Sequence, residues 1–265
     1  MALSEQQKLR YARHIALDEV GENGQEVLLN ARVLVVGAGG LGSPVLLYLA
    51  AAGVGTLGIV DFDSVDLSNL QRQIVHAEET VGQAKVTSAA ERLSEINPEI
   101  TIKPYRTRLT SDNALKLIEE YDLIVDGSDN FTTRYLLNDV CYFAKKPLVS
   151  AALLRFEGQL STFKAYLPGD NHPCYRCLFP SPPAPGTVPR CEQAGIFGAV
   201  AGVMGTLQAT EAIKELLGIG DGLSGKLILY DGLTARFTPL KVDRDADCPL
   251  CGDEPSITTI ALETA

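Results

Sequence analysis

The 265 residues carry 46% hydrophobic and 21% charged side chains, enough apolar material for a folded core of one or two domains, which excludes disordered and fibrous architectures. Twenty-three Lys and Arg against 33 Asp and Glu give a net charge of −10, which argues against a nucleic-acid or anionic-membrane partner, because both need clustered positive charge. A polyanionic ligand would have to be met by a few locally placed cations. Charges at Glu5, Lys8, Arg10, Arg13, Asp18 and Glu19 leave no room for an apolar secretory segment, so the expected location is the cytoplasm. The charge-free stretch 33–60 has the length of a membrane span, but it holds seven glycines and Pro44 and reads as soluble structure.

The chain opens on a helix signal. Ser4 followed by Gln7 fits a capping box, and Leu9, Ala12 and Ile15 recur at helical spacing while Arg10, Arg13 and His14 fall on another face. Spacing alone makes this a solvated helix with incidental charges. Arg32–Val36 and residues 56–61 are β-branched runs around a helix-forming segment, Gly42–Ala52, and together read as a βαβ unit. Further strands are expected at 100–105, 122–126, 147–150, 158–163 and 226–230, with helices at 83–96, 112–120 and 132–144. With five prolines and a glycine, residues 179–190 can form neither helix nor central strand and read as a long crossing loop. Residues 193–210 carry no charge and contain Gly198-x-x-x-Gly202, as expected of a buried helix packed closely on its neighbours. Strands alternating with helices predict an α/β fold, a Rossmann-like, mainly parallel sheet flanked by helices and continued by antiparallel strands.

Gly37-x-Gly39-x-x-Gly42 sits between a strand and a helix, where glycines let the backbone approach phosphate and the helix N-terminus supplies N–H donors. Asp61 ends the second strand 19 residues past Gly42, where an acidic residue accepts hydrogen bonds from ribose hydroxyls. Together they predict nucleotide binding without separating NAD from ATP. The residues that follow favour ATP: Arg72 and then Lys85 provide two cations, a planar donor fork and a mobile point charge suited to a phosphoryl group that gains charge during displacement. Asp129 follows another strand, at the edge where α/β proteins bind ligands, and its carboxylate suits Mg²⁺. Taken singly, Arg72 and Lys85 also suit a solvated surface, and Asp129 a helix N-cap. His14, His76 and His172 form no spacing suggestive of a triad.

At this point the chain resembles the sulfur-carrier adenylyltransferases, bacterial members of the ubiquitin-activating enzyme superfamily typified by MoeB and ThiF. The likeness rests on Arg10-Tyr-Ala-Arg13, Gly37-Ala-Gly-Gly-Leu-Gly42, Asp61-x-Asp63-x-Val65-x-x-Ser68-Asn69-Leu-x-Arg72-Gln73, Gly82-x-x-Lys85, Asp126-x-x-Asp129-Asn130, Cys191-Glu-Gln-Ala-Gly195 and two cysteine pairs. It implies that the C-terminal glycine carboxylate of a small ubiquitin-like carrier attacks the α-phosphate of ATP, giving an acyl-adenylate and pyrophosphate. Carried over by residue, it implies that Gly40 approaches the phosphates with Gly37, Gly39 and Gly42. Asp61 holds ribose beside Asp63; Ser68, Asn69, Arg72 and Lys85 surround the triphosphate; Asp129 with Asn130 binds Mg²⁺. Arg13 is implied to reach the site from the other subunit of a homodimer, which replaces the solvated-helix reading. The resemblance implies one domain over 1–265, with a helical arm at 1–30, a nucleotide-binding half at 31–150 and a carrier-binding and zinc half at 151–265. The opening Arg10-Tyr-Ala-Arg-His-Ile-Ala-Leu17 and the run 191–205 favour the molybdopterin branch over the thiazole branch. The chain ends shortly after the second cysteine pair, so sulfur is expected from a separate donor protein.

Cys174-x-x-Cys177 and Cys248-x-x-Cys251 stand 70 residues apart, and their paired spacing fits a four-thiolate Zn²⁺ site, closed and therefore structural. Disulfides or redox dithiols are the alternative for the same pairs. Cys141 falls among apolar residues and is expected in the core. Cys191 opens the run after the crossing loop, where some relatives take the activated carrier into a covalent thio-linkage and others keep a dispensable cysteine. Arg190 favours its thiolate and Glu192 opposes it. Two other readings remain: an NAD-dependent oxidoreductase resting on the glycine fingerprint, and a binding module that senses nucleotide without turnover.

Overall fold

Alternate residues of the strand Arg32–Val36 (β1) turn to opposite sides of the sheet: Val33 and Val35 join one apolar layer, Leu34 and Val36 the other. The computed structural model describes residues 2–184, 186–187 and 194–260. Before β1 lie three helices, α1 (Glu5–Arg10), α2 (Ala12–Ile15) and α3 (Gly21–Asn30). Ser4 caps α1 in the expected box with Gln7. After β1 come α4 (Gly42–Ala52), β2 (Thr56–Val60), α5 (Lys85–Ile96), β3 (Thr101–Tyr105), α6 (Ser111–Glu119), β4 (Leu123–Asp126) and α7 (Phe131–Ala144). The chain continues through β5 (Leu148–Leu154), β6 (Glu157–Phe163), α8 (Tyr175–Leu178), α9 (Gly198–Leu217), β7 (Lys226–Asp231) and β8 (Arg236–Lys241). Short 3₁₀ turns at Leu67–Asn69 and Glu78–Thr80 lie between β2 and α5.

These strands form one sheet in the order β3-β2-β1-β4-β5-β6-β7-β8. It is parallel from β3 to β5 and antiparallel from β5 to β8. The α/β architecture expected from the sequence, with its antiparallel continuation, is the one found. Helices α3, α4, α5 and α9 cover one face through Leu28, Leu46, Leu93 and Met204. The other face is covered by α6 and α7 through Ile118, Leu137 and Val140, with Tyr175 of α8. Burial on both faces is why the central strands read as continuous apolar runs. A Cβ at Gly205 would overlap Pro44 and the backbone of Leu41, so glycine lets α9 cross α4 at close range. The expected helix at 193–210 is thus recovered as α9, which starts later and runs further.

The opening helix is split at Tyr11 into α1 and α2, and three further elements depart from expectation for identifiable reasons. Helix α3 carries Gly21 and Gly24 and has no side-chain cap, so no local signal announces it; it is held by packing Leu28 into the core. Strand β5 runs on through Ala151–Leu154 because all seven of its residues pair with β6, although only three pair with β4. Strand β8 is an edge strand that contains Pro239 and is mostly exposed, a setting in which proline is tolerated and an apolar pattern is not required. Among the described residues, no helix is long and apolar enough to cross a membrane.

Candidate functional site

Strand order reverses beside β1, whose neighbours are β2 and β4, and in doubly wound sheets the crevice at the carboxyl ends of such strands receives the ligand. The turn from β1 to α4 lies there. Gly37 adopts φ +97°, which L side chains rarely reach, and a Cβ on it would come within 2.7 Å of the Gly127 carbonyl. A Cβ on Gly42 would overlap the carbonyl of Gly37. Glycine is therefore required where the turn closes on itself and where it packs on the loop after β4. Gly40 lies against the stem of Arg72 and Ala201 of α9.

Asp61, just past β2, accepts the Ala38 N–H on Oδ2 and the Asp63 N–H on Oδ1, both at 2.9 Å. Asp63 in turn meets Lys85, which opens α5: the Lys85 N–H donates to the Asp63 carbonyl at 3.0 Å, and Nζ lies 3.2 Å from Oδ2. The Lys85 side chain is only 7% exposed, so it is not a solvated surface charge. Around the first 3₁₀ turn, Asp66 accepts both the N–H and hydroxyl of Ser68. The Ser68 hydroxyl, then its N–H, hold the Asp66 carboxyl below the usual carboxylate range. Arg72 Nη1 donates to the Ser68 carbonyl at 3.2 Å, and the Asn69 amide to Ser68 Oγ at 3.2 Å.

The loop after β4 completes this edge. Asp126 is fully buried and accepts from the Ser128 N–H and hydroxyl and from Ser150 Oγ at 2.7 Å, with Arg134 Nη1 at 3.7 Å. Arg134 also donates to the carbonyls of Ala151 and Ser128. This buried network fixes the loop that presents exposed Asp129. The N-cap of α7 is Asn130, whose Oδ1 accepts the Thr133 N–H, and its amide reaches Asp129 at 3.5 Å. Asp129 thus leaves the capping to its neighbour. The roles of Asp126 and Arg134 were not read from the sequence, where an acidic residue ending a strand and an arginine inside a helix carry no distinctive signal.

Arg13 is not part of this assembly. Tyr11 packs its ring against Gly53 at the C-cap of α4 and receives a hydrogen bond from Asn97 at the C-cap of α5. Gln25 bridges His14 to the Ala52 carbonyl. The arm is therefore fastened to the far end of α4, about 16 Å along the helix from the glycine turn at 1.5 Å per residue. Arg13 is exposed there. Cys191 lies outside the described residues.

Away from the crevice, Cys174, Cys177, Cys248 and Cys251 bring their sulfurs within 4.8 Å of one another. Separations of 3.4 to 3.9 Å for three pairs match the spacing of about 3.8 Å that four thiolates take around a tetrahedral zinc at 2.3 Å. Each is a free cysteine. The cluster suits a metal such as zinc. Cys141 is core, as expected, and burial pushes its thiol well above the ordinary range.

A doubly wound sheet with a glycine turn at its switch point, backed by a buried lysine and a half-buried arginine, puts the chain in the class of α/β nucleotide-binding enzymes. The ThiF family profile matches residues 11–250. A sulfur carrier protein adenylyltransferase of Thermus thermophilus is 53% identical over 93% of this chain and 92% of that protein. A SAMP-activating enzyme E1 of Haloferax volcanii is 49% identical over 96% and 92%. An adenylyltransferase and sulfurtransferase MOCS3 of Culex quinquefasciatus is 53% identical over 95% of this chain, which spans 57% of that longer protein. Among solved structures, E. coli MccB with ATP superposes with a TM-score of 0.78 at 26% identity, covering 92% of this chain and 75% of that one. The chain belongs to the ThiF family and is an adenylyltransferase.

Proposed function

We propose that this protein uses ATP to adenylate the C-terminal glycine carboxylate of a small ubiquitin-like sulfur carrier, and that it does so for molybdopterin synthesis. The observation that carries the reading is the convergence of the glycine turn, Asp61, Lys85 and Arg72 on one crevice. The turn from Gly37 to Gly42, with Gly39 and Gly40 at its centre, cradles the phosphates, and Asp61 takes the ribose hydroxyls on lone pairs its backbone donors leave free. Asp63 steadies Lys85, while Ser68, Asn69 and Arg72 line the triphosphate. Among the described residues, Asp129 meets only the Asn130 amide, so its oxygens are free for a hard cation, and Asp129 with Asn130 would hold Mg²⁺. Bound there, the ion would neutralise phosphate charge.

The incoming group is already a nucleophile at neutral pH, so no base is needed. A carboxylate oxygen attacks the α-phosphorus, a bond forms there, and the bond to the bridging oxygen breaks with pyrophosphate leaving. Arg72 and Lys85 stabilise the charge that builds up on the phosphoryl oxygens. Because the arm is fastened at the opposite end of α4, Arg13 can serve only a crevice of a second copy, which supports a homodimer with exchanged arginines. Sulfur is assigned to a separate donor protein. The four cysteines hold structural zinc, and Cys191 is a covalent acceptor only in the alternative version of the mechanism. We assign residues 31–150 to nucleotide binding, 151–265 to carrier and zinc, and the protein to the cytoplasm.

ATP–pyrophosphate exchange, measured with carriers ending in Gly-Gly, tests this. Exchange is expected with the molybdopterin-branch carrier; exchange with the thiazole-branch carrier alone would move the pathway, and none with either would remove the function. Mixing Arg13→Ala with Arg72→Ala, each inactive alone, is expected to restore about a quarter of the activity, since half the dimers formed by exchange carry one intact site of two. Mixing without recovery would exclude arginine exchange.

A further inference from the structure

His76 lies between the two 3₁₀ turns that separate β2 from α5, is 8% exposed, and takes part in none of the steps above. Its Nε2 is 2.9 Å from the carbonyl of Ala38, inside the glycine turn, and its Nδ1 is 2.9 Å from Ser88 Oγ. Ser88 stands on α5 one turn beyond Lys85 and lies 2.9 Å from Thr80 Oγ1, itself bonded to the Ala77 carbonyl at 2.8 Å. A carbonyl only accepts, so Nε2 carries the proton that meets Ala38. Burial, the largest influence, lowers the imidazole pKa; the Ala38 contact and Asp61 oppose this, and Lys85 reinforces it. The ring is therefore neutral at pH 7 with its proton on Nε2, and the single Ser88 hydroxyl proton is shared between Nδ1 and Thr80 Oγ1.

The other side of the same residue is also held, because the Ala38 N–H donates to Asp61 Oδ2 at 2.9 Å. Ala38 is thus clamped at both its N–H and its C=O, by a carboxylate and an imidazole. We propose that His76 is a positioning residue that fixes the peptide between Ala38 and Gly39, so that the glycine turn presents its N–H groups to phosphate in register with the helix bearing Lys85. This rests on the assignment of the turn to the phosphates of ATP. Without the imidazole, a buried carbonyl is left unpaired, which is costly. The Ala38–Gly39 peptide then turns to find another donor and carries the Gly39 N–H with it.

Two replacements separate the two ends of the ring. In His76→Gln the side-chain amide reaches the position of Nε2 and keeps the Ala38 bond; in His76→Asn it reaches only the position of Nδ1 and keeps the Ser88 bond. The measurements are ATP affinity by titration calorimetry, KM for ATP and kcat in exchange, and the thermal midpoint. The glutamine variant is expected to bind ATP within about threefold of the parent. The asparagine variant should bind about tenfold more weakly, the worth of one buried hydrogen bond, with KM raised in step and kcat changed by less than about threefold. A purely structural histidine would lower the midpoint in both variants and leave KM alone. Equal affinities for the two variants overturn the proposal while leaving the crevice assignment intact. An unmodified protein that binds no ATP overturns both.

Discussion

Arg72→Ala is expected to lower carrier-dependent ATP–pyrophosphate exchange by about 10²- to 10³-fold, the cost of removing one preorganised donor from a site where charge develops. The fold should be unaffected. The guanidinium's hydrogen bond among the described residues is to the Ser68 carbonyl four residues back, and the buried layers are built from other side chains. In a chain of net charge −10, an anionic substrate depends on the few cations at its site, so the loss cannot be shared out. Arg72→Lys restores the charge without the planar fork and should recover only part of the rate. Exchange kinetics alongside a thermal melt check this: unchanged exchange would remove Arg72 from the chemistry, and a collapsed melt would make the loss of rate uninformative about it.

Replacing Cys248 or Cys251 with serine should release one zinc per chain and lower the thermal midpoint by more than about 10 °C, because metal affinity at a four-thiolate site is folding free energy. The site ties the start of α8 to a segment some seventy residues later. It packs against Tyr142 and Phe143, late in α7, whereas the crevice loop precedes the first turn of that helix. Loss of metal should therefore act on stability first. Exchange measured at low temperature should persist in the fraction that stays folded. Metal analysis, melting curves and exchange of the parent and both variants decide it, and a variant that keeps its zinc or its midpoint would show that the four sulfurs do not share a metal.

Much of this architecture can be read from short-range pattern. Strand β1 matches its expected bounds because Arg-Val-Leu-Val-Val, buried on both faces, has no other use in a globular chain. The glycine turn and the cysteine pairs are equally plain, since steric necessity and ligand spacing both act over a few residues. What escaped depends on pairing and packing with other segments rather than on a segment's own pattern. β8 gains its place only by pairing with β7, and α3 gains its helix only by burying Leu28. Lys85 is legible as a cation for phosphate, but its burial beside Asp63 is not. Asp126 looks like the end of a strand until Arg134 and Ser150 arrive from 8 and 24 residues away. The position of Arg13 relative to the crevice is set by Tyr11 docking on Gly53, a contact between segments 42 residues apart that no local motif encodes.

Strand β5 is bonded to β4 through its first three residues and to β6 along its whole length. The parallel and antiparallel parts of the molecule therefore share a beam, with no tether between them to lengthen, hinge or recombine. A change in the register of β5 would therefore move Ser150, which holds Asp126 beside the crevice, together with the outer strands.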